Sequence, residues 1–462
     1  MMCVMRLIAF AAQNHKGLRD RVELDLSRPS LSRLQPDPGE GWNAHLQPVI
    51  CILGANASGK STVLDAVHYA KSAVASSATG WQQEPRMPRA PFALEKESRE
   101  APSTYEFSFV HEDDVRGAKR FDYGFVVSDR GIEKEWLYAL YGIRRERLID
   151  RDAAREGSAE FSFARSLPRR AELTSITRRE LILSRALLLG HPVLAPLGRS
   201  LTQGVEMVPL GDVHRERRLH AISEALAAGE IELDELVTLL QIADIGIESV
   251  EPREENLPPE FVSALEQFTK AMAGGGQARQ PGDGSESPQF SVEMADAVIR
   301  SLAFFHRSIG GESVPLGVNE ESSGTIAWLT LAVPAVEALR HGGVLLVDEI
   351  DASLHSHLLQ TFVQLFLDPE INLVGAQLVF TTHDTFILSP ASDVSLEPGQ
   401  VWFTEKQNDG CVELYSLADF AVRDRDNVAK RYLEGRYGAV PRLASSLVHR
   451  LIRPAADVKA VG

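Results

Sequence analysis

The chain has 462 residues, with 48 lysines and arginines against 64 aspartates and glutamates, for a formal charge of −16. Hydrophobic residues make up 44% and charged residues 24%, an ordinary balance that excludes a mostly disordered chain. The acidic excess excludes a globally basic, histone-like binder, so any nucleic-acid contact must come from a local basic patch. Three cysteines, Cys3, Cys51 and Cys411, cannot build a disulfide framework or a four-thiolate zinc site, and they fit a reducing cytoplasm. No run reaches the roughly 18 apolar residues of a membrane span. The N-terminus MMCVMRLIAF lacks a signal-peptide core and cleavage site, so a cytosolic protein is expected.

In chain order, Val49 to Leu53 is a short β-branched and apolar run that reads as a strand. Tyr105, Phe107 and Phe109 alternate with Glu106 and Ser108, and Phe121, Tyr123 and Phe125 with Asp122 and Gly124, which marks half-buried antiparallel strands. Asp129-Arg130-Gly131 predicts a turn into a further strand from Ile132 to Leu137. From about Gly142 the texture changes: Arg144, Arg145, Arg147, Arg151 and Arg155 come close together, followed by helix-forming stretches around 171–189 and 219–242. The run from Ala273 to Pro288 is rich in Gly, Ser, Pro and Gln and predicts a flexible linker near 273–290. Beyond it, an apolar helix over 327–339 leads to a strand Val344–Val347, a helix, and a second buried strand Gln377–Phe380. Continuous apolar strands alternating with helices argue for a parallel sheet covered on both faces.

The strongest chemical signal is Gly54-Ala55-Asn56-Ala57-Ser58-Gly59-Lys60-Ser61, a complete G-x-x-x-x-G-K-S between a strand and a helix beginning near Thr62. Small residues let the backbone wrap a phosphate with its N–H groups turned inward. Lys60 then reaches the β and γ oxygens, and the Ser61 hydroxyl is placed for Mg²⁺. Val344-Leu345-Leu346-Val347-Asp348-Glu349 is a buried strand ending in two carboxylates. Asp348 is assigned to the metal and Glu349 to the attacking water; taken alone, the pair also fits a solvated strand end. A further apolar strand ends in Thr381-Thr382-His383-Asp384, where His383 can donate to the γ-phosphate as a sensor.

With these residues the chain resembles an ABC-type ATPase head of the kind shared by SMC, RecF and OLD proteins. The implied fold is α/β: a P-loop NTPase with a mixed sheet and antiparallel N-terminal strands, split by a mostly helical insertion. Glu321-Ser322-Ser323-Gly324-Thr325 stands where an ABC signature loop is due, with Gly324 24 residues before Asp348. Asp348-Glu349-Ile350-Asp351-Ala352-Ser353-Leu354-His355 resembles a Walker B and D-loop, with Asp351 and Ser353 as D-loop residues, and His383 fits the H-loop switch. The resemblance narrows to the RloA/AbiLi-like ATPases of abortive-infection systems through the E-S-S-G-T and T-T-H-D stretches. It also rests on a tail running through Trp402–Lys406, Glu413–Leu417 and Arg431–Ala439.

The resemblance implies ATP and Mg²⁺ as cofactors and a homodimer, or a higher homo-oligomer, of facing heads. In it, ATP on one subunit's phosphate loop, Gly54 to Thr62, is clamped by Ser322, Ser323 and Gly324 of the other. Ser322 before a helix is equally the preferred residue for an ordinary N-cap. The expected function is an ATP-hydrolysing sensor or motor of antiphage defence that controls a separately encoded nuclease or RNA-targeting effector. A RecF- or OLD-like DNA-repair ATPase is the competing reading, with basic clusters at Arg144–Arg155 and Lys430–Arg442 as its contact points. No [N/T]-K-x-D motif supports a GTPase.

Lys60 and Asp348 are 288 residues apart, which makes 141–292 an insertion. The expected organisation is therefore one half-head over 1–140, the insertion over 141–292, a second half-head over 293–400 and a tail over 401–462. No Q-loop glutamine is placed, although Gln82 and Gln83 lie upstream of Ala90-Pro91-Phe92. Asp424-Arg425-Asp426 superficially resembles a Toprim metal pair but reads as a solvated charge run. His355 and His357 do not share a helix face as zinc ligands would.

Overall fold

The computed structural model describes residues 5–31, 35–37, 40–115, 118–141, 144–155, 157–209, 212–229, 231–243, 246–256, 298–318, 320–352, 354–423 and 426–440. The expected linker near 273–290, Ser353, Asp424, Arg425 and the residues from 441 onward lie outside them. The chain forms two compact units, one of Met1–Leu210 with Pro334–Gly462 and one of Gly211–Val333.

The larger unit opens with β1 (Met5–Gln13), β2 (Val22–Asp25) and β3 (Val49–Leu53), followed by α1 (Lys60–Ser76). Four antiparallel strands follow: β4 (Ser103–Val115), β5 (Ala118–Ser128), β6 (Gly131–Tyr141) and β7 (Arg144–Asp152), with the short β8 (Phe161–Phe163) at the edge. Together they make a seven-stranded antiparallel sheet in the order β2-β1-β4-β5-β6-β7-β8. Its alternation is the one the sequence predicts: Phe107, Phe109, Phe121, Tyr123 and Phe125 are all buried.

The second sheet of this unit is mixed. After α2 (Ile182–Leu188) and α3 (Leu194–Gln203) comes β9 (Val205–Pro209). In the smaller unit lie α4 (Asp212–Ala227), α5 (Leu233–Ala243), β10 (Ile247–Asn256), β11 (Val298–Arg307) and β12 (Ser313–Gly317), then α6 (Ser323–His341) begins. Back in the larger unit, β13 (Val344–Asp348), α7 (Ser356–Leu367), β14 (Gln377–Thr381), β15 (Val401–Lys406), β16 (Val412–Ser416) and α8 (Val428–Leu433) complete the chain as described. The order is β16-β15-β3-β14-β13-β9, all neighbours parallel except the β15–β16 edge pair. Every residue of β3 and of β14 is buried, as a strand covered on both faces requires.

Helix α1 buries Val63, Leu64, Ala66, Val67, Ala70, Ala73 and Val74, a stripe at helical spacing. One core runs from Phe107 and Phe121 of the antiparallel sheet through this stripe to Ile50, Ile52, Leu346 and Val379 of the mixed sheet. The helix that carries Lys60 and Ser61 at its first turn is therefore fixed on two sides.

The smaller unit has its own core of Leu219, Ile222, Leu236, Leu240, Val250, Phe304, Ile326 and Leu329. It holds an antiparallel sheet in the order β10-β11-β12. Trp328 is fully buried there and its indole N–H donates to the Leu239 carbonyl at 2.6 Å. The division between units falls inside α6, at Pro334, which has no N–H to give the preceding turn.

The expected helical insertion over 141–292 needs correction. Arg144–Asp152 is a strand that extends the antiparallel sheet, and Val205–Pro209 joins the mixed sheet beside β13. Of the stretch 171–189 only Ile182–Leu188 is α-helical, whereas 219–242 is covered by two helices, Asp212–Ala227 and Leu233–Ala243, with a break between them. The separate unit begins near 211, runs to Val333 and contains strands as well as helices. On β7 and just beyond its end, three of the clustered arginines find partners at the surface. Arg145 lies 3.7 Å over the Tyr138 ring and 3.5 Å from Asp122, and Arg147 and Arg155 both pair with Asp150.

Candidate functional site

At the end of β3 the chain turns through Gly54–Gly59 into α1. A side chain on Gly54 would place its Cβ 2.5 Å from Ser58 Oγ and 2.6 Å from the Thr404 carbonyl, so the loop lies against β15 only because residue 54 is glycine. Ser58 Oγ and Thr404 Oγ1 are 2.6 Å apart, which ties the middle of the loop to the same strand. Ser58 N–H donates to the Ala55 carbonyl at 3.1 Å, and Ala55 N–H donates to the Ala439 carbonyl at 3.0 Å. Thr62 and Val63 donate to the Gly59 carbonyl, so the first-turn N–H groups of Lys60 and Ser61 are the ones the helix end offers to an anion.

Lys60 is buried, and its ammonium donates to the carbonyls of Gly54 at 2.9 Å and Ala55 at 3.2 Å. Nδ1 of His383 lies 3.4 Å away. Burial pulls the Lys60 ammonium below the ordinary lysine value, against the opposing pull of Glu349, Asp348 and Asp351.

β13 and β14 bring the acidic end. Ser61 Oγ donates to Asp348 Oδ1 at 3.0 Å, closing a contact across 287 residues of chain. Thr381 Oγ1 donates to the same oxygen at 2.7 Å and accepts the Glu349 N–H at 2.7 Å, so one threonine fixes both carboxylate residues. Glu349 has a φ of 51°, a left-handed backbone that a residue with a Cβ adopts at a cost. It turns the chain sharply out of β13 directly after Asp348. His383 Nε2 stands 3.9 Å from Glu349 Oε1, and the His383 N–H is held by both oxygens of Asp351 at 3.2 Å.

A cavity of about 760 Å³ is lined by the loop residues Asn56 to Thr62 together with Glu349, Asp351, Ala352 and His383. It opens at the carboxyl ends of parallel strands, where ligands of open α/β sheets bind. The sequence-predicted Lys60, Ser61, Asp348, Glu349, Asp351 and His383 are thus gathered at one place. Ser61 and Asp348 supply hard oxygen donors of the kind Mg²⁺ prefers, and that ion takes only one or two protein ligands in phosphate sites. Among the described residues, no group of three or more His, Cys, Asp or Glu side chains is arranged to hold a metal.

Other predicted residues fall elsewhere. Ser322, Ser323 and Gly324 belong to the smaller unit, at the start of α6. Ser322 Oγ accepts the Thr325 N–H at 3.0 Å, so it serves as the N-cap, while Ser322 and Ser323 stay exposed. Gln82 does not line the cavity: its amide donates to the Ser77 carbonyl at 2.7 Å and accepts from Thr177 at 3.0 Å. His355 caps α7 by accepting the His357 N–H and stacks on that ring. Asp426, the described member of the supposed metal pair, is paired with Arg431 and accepts the Arg423 N–H.

Within the basic stretch, Arg151 is buried, bonded to Glu160 at 2.7 Å and to the Glu180 carbonyl at 2.6 Å. It is a structural group, not a phosphate ligand. Thr381, Thr404 and Ala439 were invisible as site residues, because each acts through neighbours far away in sequence. The doubled threonine before His383 was the available clue for the first.

The family profile described as "AAA domain, putative AbiEii toxin, Type IV TA system" matches residues 49–389, and the chain belongs to that family. No curated protein sequence matches the chain. Among solved structures, it is similar to an Smc head bound to the C-winged helix domain of ScpA. That match has 15% identity, 89% of this chain and 97% of that one covered, and a TM-score of 0.43. A second is the Smc head domain with an extended coiled coil, bound to the C-terminal domain of ScpA derived from Pyrococcus furiosus. It has 14% identity, covers 94% and 100% of the two chains, and has a TM-score of 0.37. No helix among the described residues is long and apolar enough to cross a membrane.

Proposed function

We propose that this AAA-family protein binds ATP at Gly54–Thr62 and hydrolyses it to ADP and phosphate, using the nucleotide state to switch contact between two copies of itself. The observation that carries this reading is the Ser61–Asp348 hydrogen bond of 3.0 Å beneath the phosphate loop, which joins the two halves of an ATPase site across the chain. Ser61 and Asp348 would hold Mg²⁺, which when bound supplies positive charge to the β- and γ-phosphate oxygens.

Lys60 exchanges the Gly54 and Ala55 carbonyls for phosphate oxygens, as a partly desolvated ammonium favours. Glu349 orients water for in-line attack on the γ-phosphorus and takes its proton as the new P–O bond forms and the β–γ bridge breaks. His383 donates to the γ-phosphate, held in place through its backbone by Asp351. The exposed helix start at Ser322, Ser323 and Gly324 of a second copy meets that phosphate from the other side, with Asp351 and Ser353 in the D-loop role. Loss of the γ-phosphate removes this clamp.

The family description, with its toxin of a type IV toxin–antitoxin system, supports a place in defence of the abortive-infection, RloA/AbiLi-like kind. There the protein would control a separately encoded effector, a nuclease or RNA-targeting protein. Arg151 is buried against Glu160, and the exposed Arg145, Arg147 and Arg155 pair with Asp122 and Asp150, so that cluster lends DNA repair no support of its own. The test is equilibrium binding of a non-hydrolysable ATP analogue and steady-state phosphate release. Saturable Mg²⁺-dependent binding that Lys60→Ala abolishes is expected; wild-type protein that neither binds ATP nor releases phosphate overturns the reading. Co-purification with the neighbouring gene product tests the effector.

A further inference from the structure

The phosphate loop is held from outside by a part of the chain that its motif does not include. Helix α8 is capped at its start by the Asn427 side chain, which accepts the Lys430 N–H at 2.9 Å. It ends in paired bonds, Gly435 N–H to the Tyr432 carbonyl at 2.8 Å and Arg436 N–H to the Arg431 carbonyl at 3.0 Å. This is the Schellman arrangement, which reverses the chain sharply. The reversal carries Tyr437, Gly438 and Ala439 back along β15.

There the Ala439 carbonyl accepts two hydrogen bonds at once. One comes from Ala55 N–H of the phosphate loop at 3.0 Å and one from the Tyr432 hydroxyl at 3.0 Å. Ala439 N–H donates to Glu405 Oε2 at 3.2 Å, and Tyr415 Oη donates to the Tyr437 carbonyl at 2.7 Å. Phe403 stacks against both Tyr432 and Tyr437, with ring centroids 5.3 and 5.9 Å apart. Tyr432, Tyr437 and Ala439 are buried. Gly438 has a φ of 71°, and a Cβ there would come within 2.5 Å of Glu405 Oε2 and 2.6 Å of Tyr415 Oη, so glycine is required for the strap to close.

We infer that residues 432–439 are a positioning strap for the phosphate loop, and that Tyr432 acts through the Ala439 carbonyl to set Ala55 and hence the loop's grip on a nucleotide diphosphate moiety. The inference rests on the reading of Gly54–Ser61 as an ATP loop. The Ala55 amide is spent on the strap and not on phosphate. The loop's first residues are thereby anchored between β15 and the strap, which prepays part of the ordering cost of wrapping a phosphate. Tyr432 touches no substrate and is not a catalytic residue.

Tyr432→Phe removes only the hydroxyl and keeps the ring on Phe403. Its expected effect is a parallel weakening of ATP and ADP binding by about three- to tenfold, the range of one lost hydrogen bond. AMP and adenosine binding should stay as in wild type, and kcat at saturating ATP should change less than KM. Hydrogen exchange in the peptide that spans Gly54–Lys60 should speed up at the same time. A merely structural role would lower the melting temperature and leave nucleotide affinity and loop exchange unchanged. Unchanged ATP and ADP affinity in folded Tyr432→Phe protein overturns the strap. Should that variant not fold, Gly438→Ala tests the same point by pushing the strap off Glu405 and Tyr415. The proposed ATP reading fails separately, if wild-type protein binds no ATP.

Discussion

Two sets of buried charge in the larger unit look alike in a burial profile and are built for opposite ends. At the antiparallel edge, Arg151 is met by Glu160 and by the carbonyls of Glu180 and Thr177. Nearby, buried Glu135 accepts N–H bonds from Ile182 at 2.6 Å and Leu183 at 3.0 Å and the Tyr123 hydroxyl at 3.1 Å. Burial pushes the Glu135 carboxyl up, opposed by those two backbone donors, Arg151 and Tyr123. These protein partners pin strand β6 to the start of α2. At the phosphate loop, Lys60 is also buried but leans on two loop carbonyls and faces a cavity of about 760 Å³ with Glu349, Asp351 and His383. A buried charge therefore signals function only where it borders space that another charge can enter.

Substitutions break this contrast in opposite ways. Arg151→Ala should cost about 3–5 kcal/mol of stability in urea unfolding, because it strips a buried guanidinium from its partners. The surviving folded fraction should bind ATP as wild type does. A loss below about 1 kcal/mol would mean that the arginine is not structural. Lys60→Ala should show the reverse pattern, an ATP affinity lower by about 100-fold or more with unfolding shifted by less than about 1 kcal/mol. Equal affinity in this variant would remove Lys60 from the site.

A smaller effect is expected at Asp65, where burial opposes ionisation but hydrogen bonds from His15 and Lys16 outweigh it and hold the carboxyl at about 2. Because the folded value lies below the unfolded 3.8, its stabilising contribution is complete above that value and is lost as pH falls through about 2. Asp65→Asn should flatten the acid limb of a stability–pH curve. An unchanged slope would show that the contacts of Asp65 with His15 and with the half-exposed Lys16 together contribute nothing.

What the sequence revealed follows the same division. The loop Gly54–Ser61, Asp348, Glu349 and His383 were legible because each sits in a local motif at a strand end. Thr381, Thr404 and Ala439 were not, since their roles depend on the register of β14, β15 and the reversed tail against β3, which no local pattern encodes. β7 does not stand out as a strand because Arg144, Arg145 and Arg147 hide its alternation, and partners such as Asp122 and Tyr138 lie on other strands. β9 is five residues long and gains its meaning only beside β13.

The central claim is that Glu349 performs chemistry in a site whose binding parts are separate from it. Glu349→Gln keeps the shape and the backbone hydrogen bond to Thr381 while removing the base. A single-turnover assay with Mg²⁺ and ATP, run beside a direct ATP-binding measurement, tests the claim. The predicted result is wild-type or tighter ATP binding, with phosphate release slowed by about 100-fold or more. Normal turnover by the purified variant would contradict the role assigned to Glu349 and the account of the site built on it.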